Sequence, residues 1–277
     1  MMTGCLYVVA TPIGNLGDIT LRALETLKEV DFIAAEDTRV TVKLLNKYEI
    51  KKQLVSYHEH SAKECADGIV ERIRNGENCA IVTDAGMPCI SDPGEILVKL
   101  CYENNISVKA VPGASAVVSA LAISGLSTSR FAFEGFLSVT KKQRFEHLKS
   151  IEGDTHTLIF YEAPHKLIST LNDMLEYLGD RQISLCRELT KVYEEVIRTT
   201  FSGAIAYYEN KSPKGEYVLV IEGAKSKGNE DITIEEAVKR VNALIEQGEK
   251  ATDACKAVAK ESGYKKSVLY SIIQGKA

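Results

Sequence analysis

Apolar residues in the first half of the chain come in short, almost unbroken runs. These are CLYVVA (5–10), DFIAAE (31–36), QLVSY (53–57), CAIVT (79–83) and SVKAV (107–111). The segments between them change period. In LRALETLKEV (21–30) and SAKECADGIVERIRNG (61–76) apolar positions recur three and four residues apart, the spacing of an amphipathic helix. Ser61 and Glu64 form a capping-box signature at the start of the second helix. Unbroken apolar strands separated by helices predict a parallel sheet covered on both faces.

Near residue 130 the rhythm changes. FAFEGFL (131–137), THTLIFYEA (155–163), QISLCREL (182–189), YEEVIRTTF (193–201) and EYVLVIEG (216–223) read as strands. Some of them alternate, as strands of a mixed or half-exposed sheet do. The expected architecture is α/β: an N-terminal domain with a parallel sheet (1–124), then a C-terminal domain with a mixed sheet (125–224). The polar stretch KSKGNED (225–231) reads as a linker to a small helical tail (232–277), with Thr233 and Glu236 as a second capping box. Within the tail, ATDACKAVAKESGYKKSVLYSIIQ (251–274) resembles a helix-turn-helix broken at Ser262-Gly263. Two readings of it stay open: a nucleic-acid contact through its lysines, or a small three-helix cap that packs or dimerises.

Composition narrows the picture only slightly. The chain has 277 residues, is 45% hydrophobic and 26% charged, and carries a net charge of −4. That balance argues against a non-specific nucleic-acid coat, although residues 255–277 hold five lysines against the single acid Glu261. The seven cysteines form no CxxC pair, so neither a zinc site nor a disulfide framework is indicated. No apolar stretch approaches the ~20 residues of a membrane span, and the N-terminus lacks a signal-peptide pattern. The expectation is a cytoplasmic protein without a membrane partner.

The loops after the apolar runs carry the candidate chemistry, because an open α/β sheet binds ligands beyond the carboxyl ends of its strands. In order they are ATPIGNLGDIT (10–20), EDTR (36–39), YHEHS (57–61), DAGMPCISDPG (84–94) and PGASA (112–116). Familiar fingerprints fail in them. Gly14-Asn15-Leu16-Gly17 is not a GxGxxG turn, no GK[ST] occurs, and Gly113-Ala114-Ser115-Ala116-Val117 lacks the last glycine of a nucleophile elbow. His58 and His60 form an HxH pair without further ligands in sequence, which favours solvated or substrate-contacting histidines over a metal site. Taken singly, Asp84 and Asp92 read as turn formers.

Together these loops resemble a known family. ATPIGNLGDITLRA, EDTR, SYHEHS, SDPG, VPGASA, FEGFL, FYEAPHKL, RELTK and KGEYVLVIEG match, in order, the RsmI branch of the tetrapyrrole methylase superfamily, over about residues 5–224. That resemblance implies an enzyme that uses S-adenosyl-L-methionine to 2′-O-methylate a cytidine in the decoding region of 16S rRNA. It also implies a homodimer with the cofactor folded between two α/β domains. Carried over by position, Asp84, Ala85, Gly86, Ile90, Ser91 and Asp92 would meet the methionine and ribose parts of the cofactor. Gly86 would let main chain approach closely. Ser115 and Ala116 match a further cofactor loop. Tyr161, Glu162 and Ala163, with Gly215, Glu216, Tyr217 and Val218, match segments around the adenine. Tetrapyrrole-modifying members usually open with GxGPGDxxLLT, and Thr11 to Thr20 here keep only the Gly-Asp and the closing Thr.

Methyl transfer to a ribose hydroxyl needs an acceptor for its proton. Candidates are Glu188 and Asp37 foremost, with Glu162, and Lys191 if its pKa is lowered. Glu188 in RELTK could equally pair with Arg187 or Lys191 and be structural. Asn15, Arg39, His58 and Lys191 are candidate substrate contacts, as are Lys141, Lys142 and Arg144. Two other classes remain: a methyltransferase acting on a tetrapyrrole (a corrin or sirohaem precursor), and a nucleic-acid-binding regulator working through the tail.

Overall fold

The computed structural model of the chain describes residues 3–58, 62–92, 94–225 and 233–274. Glu59 and His60 of the HEH run, Ser61 of the first capping box, Pro93, most of 225–231 and Lys276 lie outside the described residues.

Each of the ten apolar runs forms a strand. In the first half, β1 (Cys5–Val9), β2 (Phe32–Ala35), β3 (Gln53–Ser56), β4 (Cys79–Val82) and β5 (Ser107–Val111) make one parallel sheet in the order β3-β2-β4-β1-β5. Side chains alternate along a strand, so an unbroken apolar run supplies both faces at once. Leu6, Val8, Phe32, Ala34 and Ile81 pack under Ile69 and Ile73 of α3 (Ala62–Arg74) and Leu97 of α4 (Glu95–Glu103). Val9, Ile33, Ala35, Ala80 and Val82 pack under Leu27 of α1 (Leu21–Glu29) and Leu45 of α2 (Thr38–Lys47). Coverage is incomplete at the rims. The edge strand β5 leaves Ser107, Lys109 and Ala110 exposed, and β3 leaves Gln53 and Ser56 exposed, because neither has a neighbour on its outer side.

The second sheet is mixed. β6 (Phe131–Phe136) runs parallel to β7 (Thr157–Glu162), while β8 (Gln182–Arg187), β9 (Glu195–Thr200) and β10 (Tyr217–Ile221) complete it antiparallel, in the order β6-β7-β10-β8-β9. On one face Leu158, Phe160, Leu219 and Ile221 meet Leu148 of α6 (Lys141–Ser150), Leu171 and Met174 of α7 (Leu167–Leu178) and Phe201 of α8 (Phe201–Tyr208). The opposite face presents Ile159, Cys186, Val218 and Val220. It is covered by Val117, Ala120 and Leu121 of α5 (Ala116–Ser124), the helix that leaves β5 of the first sheet.

Three helices follow: α9 (Ile234–Glu246), α10 (Ala251–Ser262) and α11 (Lys266–Ile273). They close on their own core of Ala237, Val241, Ala254, Cys255, Val258 and Leu269. The Thr233–Glu236 capping box forms as the sequence predicts: Glu236 N donates to Thr233 Oγ1 at 3.2 Å and Thr233 N to Glu236 Oε2 at 3.1 Å. Among the described residues no helix is long and apolar enough to cross a membrane.

Leu219 lies fully buried on the central strand β10, facing the helices α7 and α8. Leu219→Ala should lower the unfolding free energy by about 2–5 kcal/mol, the usual result of emptying a leucine site that cannot collapse. Denaturant titration measures it. An unchanged midpoint would mean that this layer does not hold the second sheet to its helices.

Candidate functional site

A cavity of about 470 Å³ opens where the strand-end loops of the first sheet meet those of the second. That is an ordinary size for a small-molecule or cofactor site. From the first sheet come Ile13, Glu36, Thr83 and the loop of Asp84, Ala85, Gly86, Met87, Ile90, Ser91 and Asp92. Ser115 and Ala116, at the start of α5, form the floor between the sheets. From the second sheet come Phe136, Tyr161, Glu162, Ala163, Glu188, Leu189, Lys191, Glu216, Tyr217 and Val218.

Local backbone geometry explains how these loops turn inward. Gly86 has φ +88° and pairs with Thr11 across an isolated antiparallel bridge, with Thr11 N donating to Gly86 O at 2.9 Å and Gly86 N to Thr11 O at 3.1 Å. Two cavity loops of the first sheet are thereby tied together through main chain, and Thr11 Oγ1 adds a bond to Thr83 O at 3.0 Å. Cys89 and Ser91 take φ +71° and +62°, strained values for residues with a side chain. Ser115 is the N-cap of α5 yet makes no side-chain cap bond, so its hydroxyl is not spent on the helix.

The cavity is crowded with negative charge. Glu36, Asp84, Asp92, Glu162, Glu188 and Glu216 line it, against the single cation Lys191. Burial, and then the nearby Glu36 charge, push the Asp92 carboxyl up to about 6. Asp84 is raised for the same two reasons. Glu36 is held by Thr83, whose Oγ1 donates to Glu36 Oε2 at 2.5 Å. Glu162 is committed to the scaffold: Ala163 N donates to its Oε1 at 2.8 Å and Thr170 Oγ1 to its Oε2 at 2.5 Å.

Across the cavity Glu188, Lys191 and Glu216 form one network. Lys191 Nζ donates to Glu188 Oε1 and to Glu216 Oε2, both at 2.8 Å, and Glu216 N donates to Glu188 Oε1 at 3.0 Å. The Lys191 contact, above all, holds the Glu188 carboxyl below its usual value. For Lys191, burial works to lower the pKa, but the hydrogen bonds to both carboxylates outweigh it and the ammonium is stabilised. The sequence-based idea of Lys191 as a proton acceptor with a lowered pKa is therefore reversed in direction. Gly215, expected in the cavity wall, sits behind Glu188 instead. It takes φ +79°, and a Cβ there would lie 2.5 Å from Glu188 Cγ.

Other expected site residues lie elsewhere. Asp37 does not line the cavity. Its side chain caps α2 by accepting from Arg39 N at 2.8 Å and also pairs with Arg39 Nη2 at 2.6 Å, which pulls its carboxyl down to about 2. Its backbone N–H donates to Asp84 Oδ1 at 3.3 Å, so it touches the site only through main chain. Arg39 is exposed beside it. Asn15 caps the short turn at Leu16–Asp18, and its N–H donates to Thr190 Oγ1 at 3.1 Å, bridging the two halves. His58 lies exposed at the end of the β3 loop. Arg144 is occupied: its Nε donates to Asp173 at 2.7 Å and its Nη1 to Ser138 O at 3.1 Å. Lys142 pairs weakly with Glu146 at 4.0 Å, and Lys141 lies over the Phe145 ring.

Asp92 sets a pH signature. Its carboxyl holds a proton more tightly in the folded chain than in an unfolded one, where about 4 is normal. Stability from this group is therefore present at low pH and falls as pH rises between about 4 and about 6. Asp92→Asn removes that titration. The variant should melt above the wild type at about pH 7.5, with the gap closing toward about pH 4. Parallel melting curves across that range would show that Asp92 is not held at an energetic cost.

A model of the family described as Tetrapyrrole (Corrin/Porphyrin) Methylases matches residues 5–204. The ribosomal RNA small subunit methyltransferase I of Synechocystis sp. is 45% identical over 270 residues, covering 97% of this chain and 97% of that protein. The Thermotoga maritima protein of the same name is 50% identical over 220 residues, which is 79% of this chain but 99% of its own length. Among solved structures, uroporphyrin-III-C-methyltransferase from Thermus thermophilus superposes with a TM-score of 0.56 at 18% identity, covering 78% of this chain and 94% of its own, a likeness of fold. The cavity thus sits in a fold shared with methyltransferases of very different sequence, while full-length similarity runs to one group of them. This chain belongs to the tetrapyrrole methylase family, within its ribosomal RNA small subunit methyltransferase I group, and is a methyltransferase.

Proposed function

We propose that the protein uses S-adenosyl-L-methionine to methylate the ribose 2′-hydroxyl of a cytidine in the decoding region of 16S rRNA, within the small ribosomal subunit. The observation that carries the cofactor reading is the charge of the cavity. A wall of Glu36, Asp84 and Asp92, with Asp92 pushed up to about 6 by burial and by Glu36, is short of a positive partner. A sulfonium with an ammonium beside it meets that need, and the residues present fit the group. S-adenosyl-L-methionine, when bound, supplies an electrophilic methyl group whose reactivity is its own.

The chain's residues then have distinct tasks. Asp84 and Asp92 offset the positive charge, and the start of α5 at Ser115 and Ala116 offers main-chain N–H groups to a carboxylate. Ala85, Gly86, Ile90 and Ser91 line the donor side. Tyr161, Ala163, Tyr217 and Val218 supply apolar surface that excludes water around a purine. Of the two carboxylates put forward as proton acceptors, Glu188 is the better placed. Both donors held by Glu188 converge on Oε1, which leaves Oε2 for a hydroxyl arriving in the cavity. Lys191 holds Glu188 in that orientation and presents a cation toward the RNA backbone. Asp37, committed to Arg39 and to the cap of α2, is read as a support for Asp84.

The homodimer, a cytoplasmic location, the division at 1–124, 125–224 and 232–277, and contacts from Asn15, Arg39 and His58 belong to the same proposal. Methylation of a tetrapyrrole is the weaker reading. The full-length relatives carry a ribosomal RNA name, whereas a tetrapyrrole methyltransferase resembles the chain in fold alone.

Labelled S-adenosylmethionine and small subunits from cells lacking decoding-site methylation test the proposal, with the RNA digested to nucleosides. Label is expected in 2′-O-methylcytidine. Label absent from RNA but transferred to a tetrapyrrole would overturn it. Glu188→Gln should lower kcat about a hundredfold while leaving cofactor affinity near wild type. Cofactor affinity itself should strengthen as pH rises through about 6, as Asp92 ionises.

A further inference from the structure

Between β8 and β9 the chain makes a turn, residues 188–194, whose construction is unlike that of an ordinary surface loop. Glu188 and Thr190 take φ +51° and +66°, both strained for residues with a Cβ. Hydrogen bonds hold them there. Lys191 N donates to Glu188 O at 3.0 Å, Glu194 N to Lys191 O at 3.1 Å, and Thr190 N to Glu194 Oε2 at 2.6 Å. The first-sheet loop braces the turn from outside through Asn15 N and Thr190 Oγ1 at 3.1 Å. Strain sustained by such bracing fixes a side-chain direction, and here the directions divide. Glu188, Leu189 and Lys191 line the cavity. The next two residues, Val192 and Tyr193, are 94% and 71% exposed.

We propose that Tyr193 is a stacking platform for an unstacked base of the RNA substrate at the mouth of the cavity. This rests on the RNA reading above and names the surface that would receive it. A ribose hydroxyl can reach the cavity only if its nucleotide leaves the stack, and proteins that read single-stranded RNA receive splayed bases on aromatic faces. Tyr193 has the properties required. Among the described residues its ring makes no ring contact and its hydroxyl no hydrogen bond, and its backbone is held by a turn that also carries cavity residues. Phe136, an exposed aromatic of the cavity lining, is already packed on Tyr161 with ring centroids 5.4 Å apart, and so belongs to the wall. A single exposed apolar side chain is commonplace. Two in succession on a braced, strained turn beside the site are a surface kept open for a partner. Val192 extends the same apolar face toward the sugar or a neighbouring base.

The test compares wild type, Tyr193→Ala and Tyr193→Phe in methyl transfer to undermethylated small subunits, with cofactor binding measured by calorimetry and oligomeric state by sedimentation. Tyr193→Ala should raise KM for the subunits about tenfold, the loss expected for one base–aromatic stack. Cofactor affinity and oligomeric state should stay as in wild type, and Tyr193→Phe should stay within about twofold because the ring is kept. An unchanged KM in Tyr193→Ala would overturn the proposal. So would an equal loss in Tyr193→Phe, which would assign the effect to the hydroxyl. A change in oligomeric state would assign the turn to a contact between two copies of the chain, again against it. A wild type that labels no RNA at all would remove both this inference and the function beneath it.

Discussion

The packing of α5 against the second sheet is the contact on which the site depends. This helix leaves the edge strand of the first sheet and buries Val117, Ala120 and Leu121 against Ile159, Cys186, Val218 and Val220 of the second. Its last turn is held as well, since Arg198 of β9 donates to Ser124 O at 3.0 Å and also to Ile123 O. One element is therefore part of both layers, and its first residues, Ser115 and Ala116, lie at the floor of the cavity. The Asn15–Thr190 bond adds a second tie at the rim. Without the buried face of α5 the strand-end loops of the two sheets would have no fixed relation, and no group could be positioned against another to better than its own freedom of movement.

Within that frame, the molecule accepts an electrostatic cost where the chemistry needs it. Glu36, Asp84 and Asp92 sit together in a partly dry cavity, where burial, and then the Glu36 charge, raises both aspartates. The opposite wall carries a cation of its own, with Lys191 set between Glu188 and Glu216. This asymmetry gives the cavity a direction: one wall carries carboxylates with no cation among its lining residues, the other a lysine held between two carboxylates.

Much of this was legible in the sequence because strands and strand-end loops are local properties. All ten apolar runs became strands, and the loop of Asp84 to Asp92 lines the cavity as its position after β4 implied. What failed was side-chain direction. EDTR offers Glu36 and Asp37 side by side, and the sequence pointed to Asp37. Asp37 follows the residue that leaves β2 and is taken up by the N-cap of α2, a local demand that uses its carboxylate. Glu36, one residue earlier, is left facing the cavity. The sign of the Lys191 shift was legible only in part: the pairing with Glu188 was within local reach, whereas Glu216, 25 positions away, is brought near by β10 beside β8. Ile13 joins the wall in the same way, since it packs against the layer between α5 and the second sheet.

The tail completes the argument by contrast. Its three helices bury Val241, Cys255, Val258 and Leu269 among themselves, so its stability does not rest on the sheets. The Thermotoga maritima relative reaches almost its full length while matching only 79% of this chain, so a protein of that name exists without a counterpart to about a fifth of it. The cavity, by the same token, draws every lining residue from positions 13 to 218. The tail has its own core, supplies no residue to the cavity and exposes lysines at 256, 260, 265 and 266. The cavity and the tail are thus built on separate cores, and either can vary without repacking the other.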